Sequence, residues 1–260
     1  ERYGNGEHFR ARYYAGRLGK AWIMANKNGL AGKPYRHELK YIINEGEYRL
    51  LSARLKACLK QDYYASLAGG EYFIRSLYFD DPFDTAVADK TDGVDSRDKY
   101  RIRIYNFSDS AIKLERKHKE GQYIKKDSLS ISRAECEAIV RGDLECLKRR
   151  PEPFAAQIYG IFKSSYIRPK VIVDYTREPY VFPCEEVRVT FDKNVRTAMR
   201  FTDLFDPHLP TYPVWDLKNC MILEVKFDNS LPMYVQQLLT VGAAQHTAAS
   251  KYVYCRQYEF

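Results

Sequence analysis

The sequence predicts an α+β fold in which an antiparallel β sheet or barrel has helices inserted between some of its strands. Eight segments have the β-branched, aromatic and alternating composition of strands, and most follow one another through short links. A βαβ fold would instead alternate strands with helices in a regular order. The length is sufficient, because 260 residues with 45% hydrophobic content can enclose the core of one large domain.

The first elements follow from local patterns between residues 35 and 91. Residues 35–43 are predicted to form a strand, and 45–60 an amphipathic helix, because Tyr48, Leu51 and Leu55 recur at helical spacing. Residues 71–80 are aromatic and β-branched and predict a second strand. Asp81 and Pro82 then predict a turn that leads into a short helix, with Asp80 or Asp81 at its N-terminus.

Three strands are predicted next, at 97–107, 111–119 and 122–131, and the Glu120-Gly121 step between the last two indicates a hairpin. The capping-box pattern from Ser132 to Glu135 predicts a helix that ends near residue 142. Residues 143–166 are predicted to be helical with a break at two prolines. Further strands are predicted at 168–178, 185–193 and 220–228, and a helix after Pro232, whereas the pattern leaves 247–258 unassigned.

The net charge of +8 lies mostly at the N-terminus. Residues 1–33 carry seven Lys or Arg and two Glu, a net charge of +5, so that 34–260 carry only +3. We therefore predict a basic extension at 1–33, with a short helix near residues 21–24, and a single domain at 34–260. The surplus indicates an anionic partner, but the nearly balanced domain disfavours a broad face for nucleic acid.

Several features predict a cytoplasmic chain. No run of about 18 apolar residues occurs, so we expect no membrane span, and no secretion signal is recognisable. The six cysteines are scattered without a C-x-x-C pair, which favours reduced thiols over zinc ligands or disulfides. The phosphate-binding pattern G-x-x-x-x-G-K-[ST] is absent, and the five histidines have no metal-site spacing.

Charged side chains recur at every second position in five of the predicted strands, which places them on one face of each strand. This charged face comprises Arg36, Glu38 and Lys40; Arg97, Lys99, Arg101 and Arg103; Lys113, Glu115, Lys117 and Lys119; Arg188, Thr190 and Asp192; and Glu224 and Lys226.

Two interpretations of the charged face remain open. A sheet with one solvated face would show the same pattern. If the sheet instead closes with this face inside, unpaired like charges would be costly, so they would require a polyanion. The glutamates would then offset part of the positive charge and hold a cation.

Seven short motifs along residues 35–254 resemble the VTC-type polyphosphate polymerase domain of the triphosphate tunnel metalloenzyme superfamily. In order, the motifs are Arg36-His-Glu-Leu-Lys-Tyr41, Ser76-Leu-Tyr-Phe-Asp80, Arg101-Ile-Arg103, Leu114-Glu-Arg-Lys117, Val187-Arg-Val-Thr-Phe-Asp192, Leu223-Glu-Val-Lys226 and Ser250-Lys-Tyr252.

The resemblance implies an eight-stranded antiparallel tunnel barrel with helices packed outside. It implies transfer of the γ-phosphoryl group of ATP to a growing polyphosphate chain, with Mn²⁺ or Mg²⁺ as cofactor and ATP, inorganic polyphosphate or triphosphate as ligands. Glu224 would be the principal metal ligand, with Glu38 and Glu115 as further tunnel acids. The phosphate-binding residues that it implies are Lys40, Arg101, Arg103, Lys117, Lys125, Arg177, Arg188, Lys226 and Lys251.

Some points stay open at this stage. Arg177 has the parity of Val171 and Val173, so a bulge or strand end would be needed to turn it inward. Lys90 is a candidate for a basic residue that the family often places before the Arg101 strand. The alternatives to a polymerase are a metal-dependent tripolyphosphate or nucleoside triphosphate hydrolase and a non-catalytic polyphosphate- or RNA-binding module. Nucleic acid is not the expected ligand, and a membrane-protein partner is left open.

Overall fold

The computed structural model describes residues 36–121, 123–182, 187–228, 230–240 and 246–257. The predicted extension at 1–33, including its short helix, lies outside the described residues. The strands are β1 (His37–Asn44), β2 (Lys60–Gln61), β3 (Tyr72–Asp80), β4 (Ser96–Tyr105), β5 (Ser108–Glu120), β6 (Tyr123–Ile131), β7 (Arg168–Phe182), β8 (Val187–Met199), β9 (Tyr212–Pro213) and β10 (Cys220–Phe227).

Helices connect and cover these strands. They are α1 (Glu45–Cys58), α2 (Tyr63–Leu67), α3 (Thr85–Thr91), α4 (Arg133–Val140), α5 (Glu145–Lys148), α6 (Pro153–Ser164), α7 (Met233–Leu239) and α8 (Lys251–Arg256), with a 3₁₀ turn at Trp215–Leu217. The capping box predicted at Ser132 and Glu135 is present, and Asp81 Oδ1 accepts the amides of Phe83 and Thr85 before α3. None of the described helices has the length and hydropathy of a membrane-crossing helix.

The main sheet is antiparallel and has the order β1-β10-β8-β7-β3-β4-β5-β6, with β2 added beside β7 and β9 beside β8. This confirms the predicted α+β class and its eight long strands. Within the described ranges, no continuous ladder joins the two edge strands. Arg36 and Ile124 form a single antiparallel bridge there, in which the Arg36 amide donates to the Ile124 carbonyl at 3.3 Å.

Two apolar clusters cover the outer face of the sheet. One packs Ile102 and Leu114 of β4 and β5 against α4 and α6, and the other packs Val189 and Leu223 of β8 and β10 against α1. Burying these alternate residues leaves the charged residues between them on the inner face, which confirms the predicted alternation.

The inner face is only partly charged. A third apolar cluster joins Val171, Val173 and Tyr175 of β7 to Tyr252 and Cys255 of α8. The C-terminal segment, which the sequence pattern left unassigned, therefore packs on the inner side of the sheet. As a result, the basic site occupies the remainder of the inner face.

Candidate functional site

Arg101 and Arg103 lie side by side on the inner face of β4 and share one carboxylate. Arg101 Nε and Nη2 both lie 2.7 Å from Glu115 Oε2, and Arg101 Nη1 donates to the Tyr78 hydroxyl at 2.9 Å. Arg103 Nη2 donates to the Tyr175 hydroxyl at 3.2 Å, and its Nε lies 4.0 Å from Glu115 Oε2. These contacts fix both guanidinium groups before any ligand arrives, and a fixed guanidinium fork suits bidentate binding of phosphate.

A second group joins β1, β5 and β10. Glu38 lies between two lysines, with Lys40 Nζ at 3.0 Å from Oε1 and Lys117 Nζ at 2.6 Å from Oε2. Lys40 Nζ also lies 3.8 Å from Glu224 Oε2, and Lys226 Nζ lies 2.5 Å from Glu224 Oε1. The β1–β10 register explains this arrangement, because Glu38 is paired with Lys226 and Lys40 with Glu224. Opposite charges therefore alternate along and across the two strands.

Arg177 points inward, although the sequence predicted that only a bulge or a strand end would turn it that way. Its Nε and Nη2 donate to the two oxygens of Asp192 at 2.7 and 2.8 Å, and Nη2 lies 3.9 Å from Glu224 Oε1. The expectation was wrong because Val171 and Val173 also face inward, where they pack against α8. The register shift between β7 and β8 falls beside Asn194, which has a left-handed φ of 52°.

The C-terminal segment brings Lys251 into the same group. Lys251 Nζ forms an ion pair with Asp192 and lies 4.8 Å from the centre of the Tyr175 ring. The segment is held in place by the Thr247 amide, which donates to the Lys40 carbonyl at 2.8 Å, and by the Tyr252 hydroxyl, which donates to Asp80 at 2.7 Å. The position of Lys251 thus depends on α8 packing inside the sheet.

Lys125 does not lie on the inner face, so its predicted position was wrong. In the β5–β6 register Lys125 is opposite His118, on the outer side, and Lys126 is opposite Lys117. Lys126 Nζ donates to Glu115 Oε1 at 2.8 Å. Lys126 is therefore the β6 residue that belongs to the site.

Arg188 lies farther out than the other predicted ligands. Its Nη2 is 3.1 Å from Asp62 Oδ2 and donates to the Tyr72 hydroxyl at 3.0 Å, and about a third of its side chain is exposed (34%). By contrast, only 8% of the Arg177 side chain is exposed. Arg188 therefore lies at the border of the site.

The acids of the site are all held in their charged form. Burial and the neighbouring Glu224 would raise the pKa of Glu38, but Lys117, Lys40 and Lys226 outweigh them and lower it to about 2. Burial also opposes ionisation of Asp192, yet Arg177 and Lys251 lower its pKa to about 2. The pKa of Glu115 and that of Glu224 are likewise well below the usual range, because nearby cations outweigh burial.

Glu38 and Glu224 have contacts that fit a divalent cation, and Glu115 does not. The described residues include no group of three or more His, Cys, Asp or Glu side chains that could hold a metal alone. However, Glu38 Oε1 and Glu224 Oε1 are buried and receive no well-oriented hydrogen bond, although Lys40 Nζ lies 3.0 Å from the first and Lys226 Nζ 2.5 Å from the second. Two carboxylates that are completed by substrate phosphates match the way proteins hold Mg²⁺ in phosphoryl-transfer sites. Both oxygens of Glu115 instead accept hydrogen bonds, from Arg101 and Lys126.

Sequence reasoning assigned no role to three residues of this site: Lys99, Lys126 and Asp192. Lys99 and Asp192 lay on the predicted charged face but matched no functional position in the resemblance. Asp192 is fully buried between Arg177 and Lys251. The sequence did carry a signal for Asp192, because an acid at a buried position on a basic face requires cationic partners nearby.

The fold and the site define an antiparallel sheet that curls around a basic, acid-containing inner face. A putative adenylyl cyclase from Hippeastrum, described as having a dominant triphosphatase activity, has this fold, with a TM-score of 0.54 and 13% identity over 87% of this chain and 96% of that one. A putative adenylate cyclase from Bacillus halodurans aligns with a TM-score of 0.45 and 13% identity, over 80% and 87% of the two chains. A Mimivirus capping enzyme triphosphatase aligns with a TM-score of 0.35 and 12% identity, over 80% and 86%.

The VTC domain model matches residues 35–260, and the chain belongs to this family. The resemblance drawn from the seven motifs is thereby confirmed. No curated protein matches the sequence.

Proposed function

We propose that this chain is a phosphotransferase that transfers the γ-phosphoryl group of ATP to a linear polyphosphate on the inner face of its sheet. The observation that carries the proposal is the convergence of Lys40, Arg101, Arg103, Arg177 and Lys251 around carboxylates that stay ionised. Membership of the VTC family supports the same substrate class. Phosphoryl transfer depends mainly on positioning and on neutralising charge, which is what this arrangement supplies.

The cations and the acids of the site have different tasks in this proposal. Arg101 and Arg103 are held by Glu115, Tyr78 and Tyr175, so they bind phosphate oxygens with little loss of side-chain freedom. Glu38 and Glu224 would hold Mn²⁺ or Mg²⁺, which would offset phosphate charge and polarise the transferred group when bound. Lys40 lies between these two acids and orients both.

The acids of the site are poor general bases, whereas burial lowers the pKa of Lys117 to about 8. A water nucleophile gains from a general base whose pKa lies near the working pH. The pKa values of Glu38 and Asp192 are about 2, and those of Glu115 and Glu224 are also lowered, so each is a weak base. A terminal phosphate of polyphosphate is already an anionic nucleophile and needs no such base.

Hydrolysis of triphosphate or nucleoside triphosphate is the second candidate. This candidate is supported by the Hippeastrum protein, which has the same fold and is described as having a dominant triphosphatase activity. The same inner face could hold triphosphate while water replaced polyphosphate as the acceptor.

Product analysis tests the proposal. The purified chain is incubated with ATP and Mn²⁺, and the phosphorus NMR spectrum is recorded over time. Internal chain phosphates would support the polymerase, whereas orthophosphate as the only new product would support the hydrolase. Unchanged ATP together with tight polyphosphate binding would support a non-catalytic binding module.

A further inference from the structure

The Tyr252 ring of α8 stacks on the Tyr78 ring of β3, and Tyr78 is a direct partner of Arg101. The two ring centroids are 4.8 Å apart and the interplanar angle is 19°. Tyr78 is opposite Arg101 in the β3–β4 register, and its hydroxyl accepts a hydrogen bond from Arg101 Nη1 at 2.9 Å. A stacked aromatic neighbour limits the tilt of the Tyr78 ring and so fixes where its hydroxyl lies. Tyr252 is thus connected to Arg101 through one intervening side chain.

The hydroxyl of Tyr252 is fixed separately from its ring. It donates to Asp80 Oδ2 at 2.7 Å, and Asp80 Oδ1 accepts the backbone amides of Asp81 and Ala86. Burial and the charge of Asp80 raise the pKa of Tyr252, so the hydroxyl stays protonated and remains a donor. The buried Tyr252 ring is therefore held in one orientation by its hydroxyl and by its face.

Arg101 is held by two different partners, and Tyr78 is the one that fixes the plane of its guanidinium group. Glu115 Oε2 lies 2.7 Å from both Nε and Nη2, so the carboxylate holds a single edge of the group. The same carboxylate lies 4.0 Å from Arg103 Nε and accepts from Lys126, so it is shared. The hydrogen bond to Tyr78 holds the remaining nitrogen, Nη1. Because a guanidinium binds phosphate as a rigid planar fork, the direction of that plane decides how well a phosphate is bound.

A parallel arrangement connects α8 to the second arginine of β4. Lys251, the residue before Tyr252, has its Nζ 4.8 Å from the centre of the Tyr175 ring, and the Tyr175 hydroxyl accepts from Arg103 Nη2 at 3.2 Å. Two consecutive residues of α8 thus contact the two tyrosines that hold the two arginines. The C-terminal helix therefore bears on the orientation of both guanidinium groups, besides supplying Lys251.

We propose that Tyr252 is a positioning residue, which orients Arg101 for phosphate through the Tyr78 ring without touching the ligand. This inference rests on the proposed function, since it takes Arg101 to bind phosphate. A purely structural role for Tyr252 is distinguishable, because the far end of α8 has its own anchor, in which Arg256 Nη2 lies 2.6 Å from Asp84 Oδ2. Replacing the Tyr252 ring should therefore loosen Arg101 without releasing the helix.

Side-chain order at Arg101 is the direct readout, and it requires no ligand. Nitrogen-15 relaxation of the arginine Nε–H groups in the full chain measures how rigid each guanidinium is, and the Arg101 signal is identified by its loss in Arg101→Lys. We expect Tyr252→Leu to lower the order of Arg101, while Arg116, which pairs with Asp127 on the outer face, keeps its parental order in the same sample. Unchanged order at Arg101, or an equal loss at Arg116, would overturn the proposal.

Calorimetry with inorganic triphosphate gives the functional readout. Tyr252→Leu should weaken triphosphate affinity about fivefold, whereas Tyr252→Phe, which keeps the stacked ring, should weaken it by about twofold at most. The matched control is Tyr48→Leu, because Tyr48 also donates to a buried acid, Glu178, and contacts an aromatic ring, but on the outer face. This control should bind triphosphate as the parent does. Equal losses in Tyr252→Leu and Tyr48→Leu would contradict a positioning role.

A double variant separates positioning from general destabilisation. If Tyr252 acts through Arg101, Tyr252→Leu should weaken affinity by no more than about 1.5-fold in a chain that already carries Arg101→Lys. A full fivefold loss in that background would overturn the proposal. Should Tyr252→Leu fail to fold, Tyr78→Phe keeps the ring stack and removes only the hydroxyl that holds Arg101. Parental order of Arg101 in Tyr78→Phe would also overturn it.

This proposal and the proposed function fail in different ways. A parent chain that does not bind triphosphate would overturn the proposed function, and the positioning role with it. Parental binding of triphosphate that is unchanged in Tyr252→Leu would overturn the positioning role alone and leave the proposed function standing.

Discussion

The ammonium group of Lys117 lies 2.6 Å from Glu38 Oε2, so an ion pair joins β5 to β1. These strands are not neighbours, since β6 lies between them at the point where the sheet edges meet. Glu38 thus holds a cation from across the gap in the sheet, while its other oxygen lies 3.0 Å from Lys40 Nζ. Under the proposed function, this carboxylate would orient two phosphate-binding lysines and help to hold a metal.

Glu38→Gln is predicted to separate binding from turnover. Removing the negative charge leaves Lys40 and Lys117 less compensated, so triphosphate should bind more tightly in the absence of divalent cation. Metal-dependent turnover of ATP should fall by about tenfold or more, because a metal-holding oxygen is lost. Calorimetry without metal and phosphorus NMR with Mn²⁺ measure the two effects. Weaker binding together with parental turnover would contradict both roles.

Arg101→Lys is predicted to weaken triphosphate affinity by about tenfold, since a lysine cannot reproduce the bidentate fork. Arg116→Lys is the matched control. Arg116 lies on the outer face of β5, where it pairs with Asp127 at 2.7 Å, and the change should leave affinity unaltered. Equal losses in the two variants, measured by calorimetry, would mean that the face assignment is wrong.

Two adjacent lysines of β6 give a direct test of the strand register. Lys126→Gln should weaken triphosphate affinity by a few-fold, because it removes a cation beside Glu115 and the two arginines. Lys125→Gln removes the same charge from the outer face and should have no effect. A larger loss of affinity in Lys125→Gln than in Lys126→Gln would instead place Lys125 on the inner face, as the sequence predicted.

The outer face carries an acid whose effect on stability depends on pH. Burial would raise the pKa of Glu178, but hydrogen bonds from Tyr180, Tyr48, Lys193 and Ser52 lower it to about 2. Because the pKa of Glu178 is lower in the folded protein than in the unfolded chain, where it is near 4.5, its carboxylate stabilises the fold at pH values above 4.5. This stabilisation is lost as the pH falls towards 2. Glu178→Gln should therefore cost about 2 kcal/mol at neutral pH and much less near pH 3. Urea unfolding at both pH values measures this cost in stability. A cost that does not depend on pH would contradict the lowered pKa of Glu178.

Alternation along the strands made most of the site predictable. Arg101, Arg103, Lys40, Lys117 and Glu224 occupy the face that period-two spacing assigned to them, because the residues between them fill the outer core. The Lys125 error was avoidable. A hairpin that pairs Glu120 with Tyr123 also pairs Lys117 with Lys126 and places Lys125 on the other face.

Other features depended on tertiary packing that the local pattern does not carry. The apolar residues of β7 face inward because α8 covers them, and a helix of six residues gives little sequence signal. The inward orientation of Arg177 follows from that packing. The single bridge between Arg36 and Ile124 likewise results from the curvature of the whole sheet, which no strand specifies alone.

The most direct test of the account follows the labelled γ-phosphoryl group of ATP in the presence of unlabelled short polyphosphate and Mn²⁺, with products separated by chain length. The account predicts label in chains longer than the added polyphosphate, and loss of that signal in Glu224→Gln while triphosphate binding persists. Label confined to orthophosphate, or equal chain extension by the parent and Glu224→Gln, would contradict it.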